Sequence, residues 1–216
     1  MNSFSNTEGH IILDRMIAAI QENKQYLSDI DGAIGDGDHG VNMNKGFSMA
    51  KDSLEKDPGD LAHGLNTLAR ILMMRIGGSM GPLYGTIFKT MGTTFQDHNQ
   101  IDAALFRDAL LKVREKLEVL TAARIGDKTL IDALYPAIEA FNQSLEKKES
   151  FAEALRAMKE AAAEGSDATR DMVARIGRSS RLGERSRGVI DAGAASCALL
   201  LGVIADGISE LITHEN

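Results

Sequence analysis

The sequence predicts an all-α protein, an eight-helix up-and-down bundle or barrel. Three observations lead there. Only 3 of the 216 residues are proline (Pro58, Pro82, Pro136), while alanine, leucine and methionine, all strong helix formers, are plentiful. Apolar residues recur at helical spacing in about eight segments. No tract alternates apolar and polar residues with the period of two that marks a strand.

The first segment covers about 7–28, with Ile11, Ile12, Met16, Ile20 and Leu27 on one apolar stripe. The second starts near Gly40 and ends before Pro58, and the third covers about 59–76 and is closed by Gly77 and Gly78. The fourth starts after Pro82 and runs to about Gln96; the methionines of "LMMRIGGSM" just before it read as packing residues. The fifth is about 102–121, the sixth about 127–146 with Asp127 and Thr129 as capping residues, and the seventh about 150–176. The eighth, about 191–213, reads "AGAASCALLLGVIADGISELI" and is apolar nearly all round, as expected of a helix that is central or packed against several neighbours. Short connections imply antiparallel neighbours, and one domain, 1–216, is the expectation for this length.

Composition narrows the function classes. With 44% hydrophobic residues the chain can bury a sizeable core, and a formal net charge of −7 argues against a broad nucleic-acid surface. The single cysteine, Cys197, cannot form an internal disulfide and lies on an apolar helix face, so it is expected in the core. The first ten residues, "MNSFSNTEGH", are polar and lack a signal-peptide core, and no run of about 18 apolar residues marks a membrane span. A cytoplasmic protein without nucleic-acid or membrane partners is the expectation; oligomeric state stays open, with a homodimer among the options.

The glycines cluster between the helices. In an up-down bundle the connections after helices one, three, five and seven emerge at the same end, and all four carry a glycine-rich or charged motif. The stretch "GAIGDGDHGVNMNKGF" holds Asp36 and Asp38, with Asp31 just before it. Three carboxylates drawn together repel, and a hard cation, commonly Mg2+ with phosphate, resolves the repulsion. The alternative is a solvated acidic turn with Asp38 capping the next helix. A calcium loop of the EF-hand kind fails: from Asp36, positions 5, 6 and 12 are Gly40, Val41 and Phe47. The backbone of His39, Gly40, Val41 and Asn42 at a helix start suits a phosphate, and "GGSMGPLYGT" repeats that logic.

"GDKTLIDAL" is not a P-loop, since Asp127 breaks the Gly-Lys-Thr order and no strand precedes it, although Leu130 can line a base pocket. "GRSSRLGERSRGVIDAG" places Arg178, Arg181, Arg185 and Arg187 within ten residues. An arginine loop facing an acidic metal loop is the arrangement phosphoryl transfer needs, and its length suits a lid. A solvated basic loop is the alternative.

Together these motifs, in this order and spacing, resemble the nucleotide-binding L subunit of dihydroxyacetone kinase over nearly the whole chain. The resemblance implies an eight-helix bundle with the nucleotide, ADP or ATP, at one end. It implies that Asp31, Asp36 and Asp38 hold two Mg2+ ions against the phosphates. It implies that His39, Gly40, Val41 and Asn42 form a phosphate-contacting turn, with Ser79 and Met80 as a second contact. Thr121 and Leu130 then match an adenine pocket, and Arg178, Asp191, Ala192 and Gly193 match contacts from the lid and the last helix start. The expected partners are a K-type subunit that holds a ketose and, in phosphotransferase-system versions, an M-type phosphohistidine subunit. Three positions depart from the usual pattern: Gly-Gly-Ser-Met-Gly replaces Gly-Gly-Ala-Ser-Gly, Asp191-Ala192-Gly193 replaces Asp-Pro-Gly, and Thr121 stands where glycine is common. A phosphate-binding hydroxyl has therefore moved to Ser79 or been lost.

Overall fold

The computed structural model describes residues 3–214, with side chains described as far as Ile212, so the ends of the expected 1–216 domain lie outside the described residues. Among the described residues nine α-helices follow one another: α1 (His10–Glu22), α2 (Lys24–Ile34), α3 (His39–Leu54), α4 (Leu61–Arg75), α5 (Met80–Phe95), α6 (Ala103–Leu120), α7 (Ile131–Glu146), α8 (Phe151–Ala168) and α9 (Ala192–His214). Consecutive helices pack side by side, and α9 closes back on α1, so the bundle is a barrel. Buried side chains from all nine helices join one apolar cluster.

The count is nine because the expected first helix breaks at Asn23. Its backbone leaves helical geometry at φ −95°, ψ 6°, and its side chain donates back to the Ala19 carbonyl at 2.9 Å. Neither glycine nor proline marks this break. Ile11, placed on the buried stripe by periodicity, is 39% exposed. Helix α5 begins two residues before Pro82, whose missing N–H costs nothing in a first turn. Helix α7 begins at Ile131, not at 127, and α8 stops at Ala168, passing through a 3-10 turn, Thr169–Asp171, into the loop beyond. Met73 and Met74 are exposed, so only Met80 of the expected packing methionines is buried.

The two ends of the barrel differ. At one end Phe95, Phe106, Phe141 and Phe151 interlock, with ring centroids 5.3–6.2 Å apart. Two short strands that the sequence pattern did not predict, β1 (Ser3–Ser5) and β2 (Gln100–Asp102), pair antiparallel beside this plug, with Phe4 opposite Ile101. Three-residue strands carrying one apolar side chain each have no period to detect. The Asn6 side chain ties this end together: it donates to the carbonyls of Phe95 and His98 and to Asp60, and accepts from Ala62 N–H. Helix α9 is long and apolar enough to cross a membrane by composition, with mean hydropathy 1.7 over Ala192–Ile212, but 56% of that window is buried in the barrel, where it packs against α8, α1 and α7 as a wall helix and not at the centre.

Candidate functional site

At the other end the connections after α2, α4, α6 and α8 surround one cavity of about 440 Å³. That volume suits a small ligand. A larger groove of about 740 Å³ runs over the outer faces of α4 and α5 past Asn66, Arg70, Met73 and Lys89, but among the described residues the one cluster of three acids that could hold a metal lies at the smaller cavity. Of the metal and nucleotide contacts that the resemblance implied, all line the cavity except Gly40 and Val41. Gly40 is buried against α2, where an added Cβ would strike the Lys24 carbonyl and the Ser28 hydroxyl. Val41 is half exposed. These two residues can contribute only through the backbone of the first turn of α3.

The acidic corner is built by a tight turn. Asp31 lies in the last turn of α2, not in the loop, and Gly37 takes φ 74°, a conformation glycine adopts without strain. The chain thus reverses within four residues and delivers Asp36 and Asp38 beside Asp31, with one oxygen of each within 4.8 Å of the others. The capping alternative for Asp38 fails, because its side chain makes no capping bond; the Asp31 carboxylate instead accepts from His39 N–H at 3.2 Å. Three clustered oxygen ligands are the donor set a hard divalent cation takes.

One arginine of the connection between α8 and α9 (169–191), the expected lid, answers these acids. Arg178 pairs with Asp36 and lies 3.7 Å from Asp38. The other three arginines of the cluster do not line the cavity; Arg187 turns to Glu184 and the Asp171 carbonyl. The lid contains a 3-10 segment, Arg178–Ser186, bent at Gly183, and it is pinned by Ser186, which accepts from Ala174 N–H and donates to the Gly183 carbonyl.

Behind the acids lies a polar chain that sequence reasoning missed. The ring nitrogen Nε2 of His39 is 2.8 Å from the Ser196 hydroxyl, which is 2.6 Å from Tyr84 Oη, and Tyr84 donates to the Gly193 carbonyl at 3.2 Å. Burial pushes the His39 pKa down to about 4, so the imidazole is neutral near pH 7, and burial raises that of Tyr84. Tyr84 stood within the quoted "GGSMGPLYGT", but its partners lie 109 and 112 residues away.

The far wall is made by the loop before α7. Asp127 does not cap that helix. Asp132, buried in its first turn, accepts from Gly126 and Thr129 N–H at 2.5 and 2.7 Å. Thr121 accepts from Ala123 N–H, and Leu130 presents an apolar surface beside Gly193. Ser79 holds the N-cap position of α5 and makes no capping bond, which leaves its hydroxyl for the cavity. Asp191 accepts from Ala194 N–H at 2.8 Å at the start of α9, and burial pushes its pKa up to about 7. Lys128 also reaches the cavity, held at φ 63°, with its pKa lowered by burial.

Known proteins share this architecture. The DAK2 domain profile matches residues 33–206. The PEP-dependent dihydroxyacetone kinase 1, ADP-binding subunit DhaL, of Listeria innocua is 41% identical over 84% of this chain and 86% of its own. D-erythrulose kinase of Mycolicibacterium smegmatis is 33% identical over 94% of this chain, which spans 36% of that protein. Among solved structures, the dihydroxyacetone kinase from C. freundii in complex with AMP-PNP and Mg2+ superposes with TM-score 0.64 at 22% identity, over 90% of this chain and 33% of that one.

Proposed function

The chain belongs to the DAK2 domain family, and on that premise we propose that it is the nucleotide-binding subunit of a dihydroxyacetone-type kinase. It would act with a K-type partner that holds the ketose, in the cytoplasm, as a single nucleotide-binding domain over 1–216. The observation that carries this reading is the placement of three clustered carboxylates, two glycine-rich turns and one arginine around the same cavity.

In this reading Asp31, Asp36 and Asp38 hold two Mg2+ ions, which fit the all-oxygen donor set. Bound there, the ions neutralise charge on the phosphates of ADP or ATP. The chain itself positions. Asn42, the first turn of α3 with neutral His39, and Ser79 with Met80 orient the phosphates. Thr121 and Leu130 enclose the base, and the start of α9 at Asp191, Ala192 and Gly193 closes the floor. Arg178 on the lid adds a cation at the mouth and helps exclude water. No residue forms a covalent bond to the phosphoryl group, so catalysis rests on alignment and charge. The 33% identity to an erythrulose kinase admits a related short ketose as acceptor. The phosphoryl donor is either free ATP or an M-type phosphohistidine subunit that recharges bound ADP.

The experiment is reconstitution. Purified chain, a K-type subunit and Mg-ATP, or the phosphohistidine donor with ADP, should phosphorylate dihydroxyacetone, and Asp36→Asn should abolish this while leaving the helical circular dichroism intact. Full turnover by Asp36→Asn would remove the metal assignment. Nucleotide binding without turnover alongside a competent K partner would leave a nucleotide-sensing subunit instead.

A further inference from the structure

Among the described residues Lys128 is the one basic side chain in the buried set, at 1% exposed. An ammonium has three hydrogens, and here three backbone carbonyls meet them: Val189 at 2.5 Å, Thr169 at 2.6 Å and Met172 at 3.3 Å. Thr169 and Met172 stand where the chain leaves α8, and Val189 stands where it returns to α9. They are the two sides of the lid's neck. Two further bonds draw those sides together: Gly188 N–H to the Arg170 carbonyl at 2.7 Å, and Asp191 N–H to Thr169 Oγ1 at 2.9 Å. Lys128 enters from a third direction, the loop before α7, where Arg175 N–H also reaches the Asp127 carbonyl at 3.1 Å. Its backbone sits at φ 63°, a region lysine rarely occupies, and persists there only because the surroundings over-determine it.

The position of this knot gives it a role. Thr129 and Leu130, adjoining Lys128, line one wall of the cavity, and Ile176, Gly177, Arg178 and Ser179 on the lid line another. Lys128 therefore couples the two walls. Without its ammonium, the buried Thr169 carbonyl and the part-buried carbonyls of Met172 and Val189 lose their donor, and the simplest relief is for water to enter and the neck to part.

We propose that Lys128 is a positioning residue that locks the neck of the lid to the loop carrying Thr129 and Leu130, and thereby sets how slowly a bound nucleotide leaves. The nucleotide half of this proposal rests on the function proposed above.

The test uses the full-length chain, with Lys128→Met and Lys128→Gln, and Mg-ADP as the probe, followed by displacement of a fluorescent ADP analogue. Release should accelerate at least about tenfold with association little changed, because loss of a charge-assisted bond acts on the closed state. Amides of 173–190 should lose hydrogen-exchange protection while those of α4 and α5 keep theirs. A merely structural role would instead lower protection throughout. A folded variant with wild-type release and wild-type lid protection overturns the proposal. Should both variants fail to fold, the wild type decides: under pulse acetylation Lys128 should react more slowly than exposed Lys112, and more slowly still with Mg-ADP bound. Equal labelling of the two lysines overturns the proposal. If the wild type binds no Mg-ADP, the nucleotide reading falls by itself, and exchange at 173–190 in the ligand-free variants still decides whether Lys128 locks the neck.

Discussion

Arg178 pairs with Asp36 and stands 3.7 Å from Asp38, so a side chain from the lid supplies positive charge where a divalent cation would otherwise compete for the same oxygens. Arg178→Ala should therefore bind Mg2+ alone more tightly and Mg-ADP more weakly. The pair is solvent-exposed, which limits the first effect to a few-fold. Titration with Mn2+ by electron paramagnetic resonance, with and without ADP, measures both; unchanged affinities would show that the pair does not compete.

Asp191 gives the ligand-free protein a pH dependence. Burial raises its pKa from an ordinary 3.8 to about 7, with Asp132 and Asp31 adding repulsion and Lys128 and the Ala194 amide opposing. The folded state thus holds the proton more tightly than the unfolded state. This contribution to stability is fully present below pH 3.8 and is lost as pH rises to about 7. Asp191→Asn, which keeps a capping oxygen, should remove the dependence and be more stable than wild type by about 2–4 kcal/mol at pH 8. Urea denaturation at pH 5 and pH 8 is the measurement.

Cys197 is 3% exposed and its thiol is pushed up to about 12 by burial. Ellman's reagent at pH 8 should leave the folded protein unlabelled over hours and react stoichiometrically once denaturant is added. Prompt labelling without denaturant would mean that α9 is not packed as described.

Asn6→Ala should separate stability from binding. It deletes bonds to Asp60, Phe95, His98 and Ala62 at a 2% exposed position, which should cost about 1–3 kcal/mol. Mg-ADP affinity measured by calorimetry should stay within about twofold, because these bonds lie at the end of the barrel away from the cavity.

The four loops were legible because each interrupts helical periodicity with glycine and charge, and topology alone puts alternate loops at one end. Asp31, Asp36 and Asp38 were found for that reason. Gly40 was legible as a site residue for a different reason from the one the structure gives it: its lack of a side chain lets α3 approach α2. What escaped were features whose partners are remote in the chain. Ser196 lies on an apolar helix, and only folding brings it to His39, 157 residues away. The structural role of Lys128 needs three carbonyls from segments 41–61 residues downstream. The break at Asn23 has no glycine or proline to announce it; a side chain folding back on its own helix decided it. Arg181, Arg185 and Arg187 looked equivalent to Arg178 because composition does not encode which way a bent 3-10 segment faces.

The Ser3–Ser5 strand has a practical consequence. It sits beside the carboxyl end of α5, and the amino end of the same helix borders the cavity, a separation of roughly 24 Å for 16 residues. A tether joined to that strand would orient the molecule on a sensor chip with its mouth facing the flow, leaving ligand exchange and partner capture unobstructed.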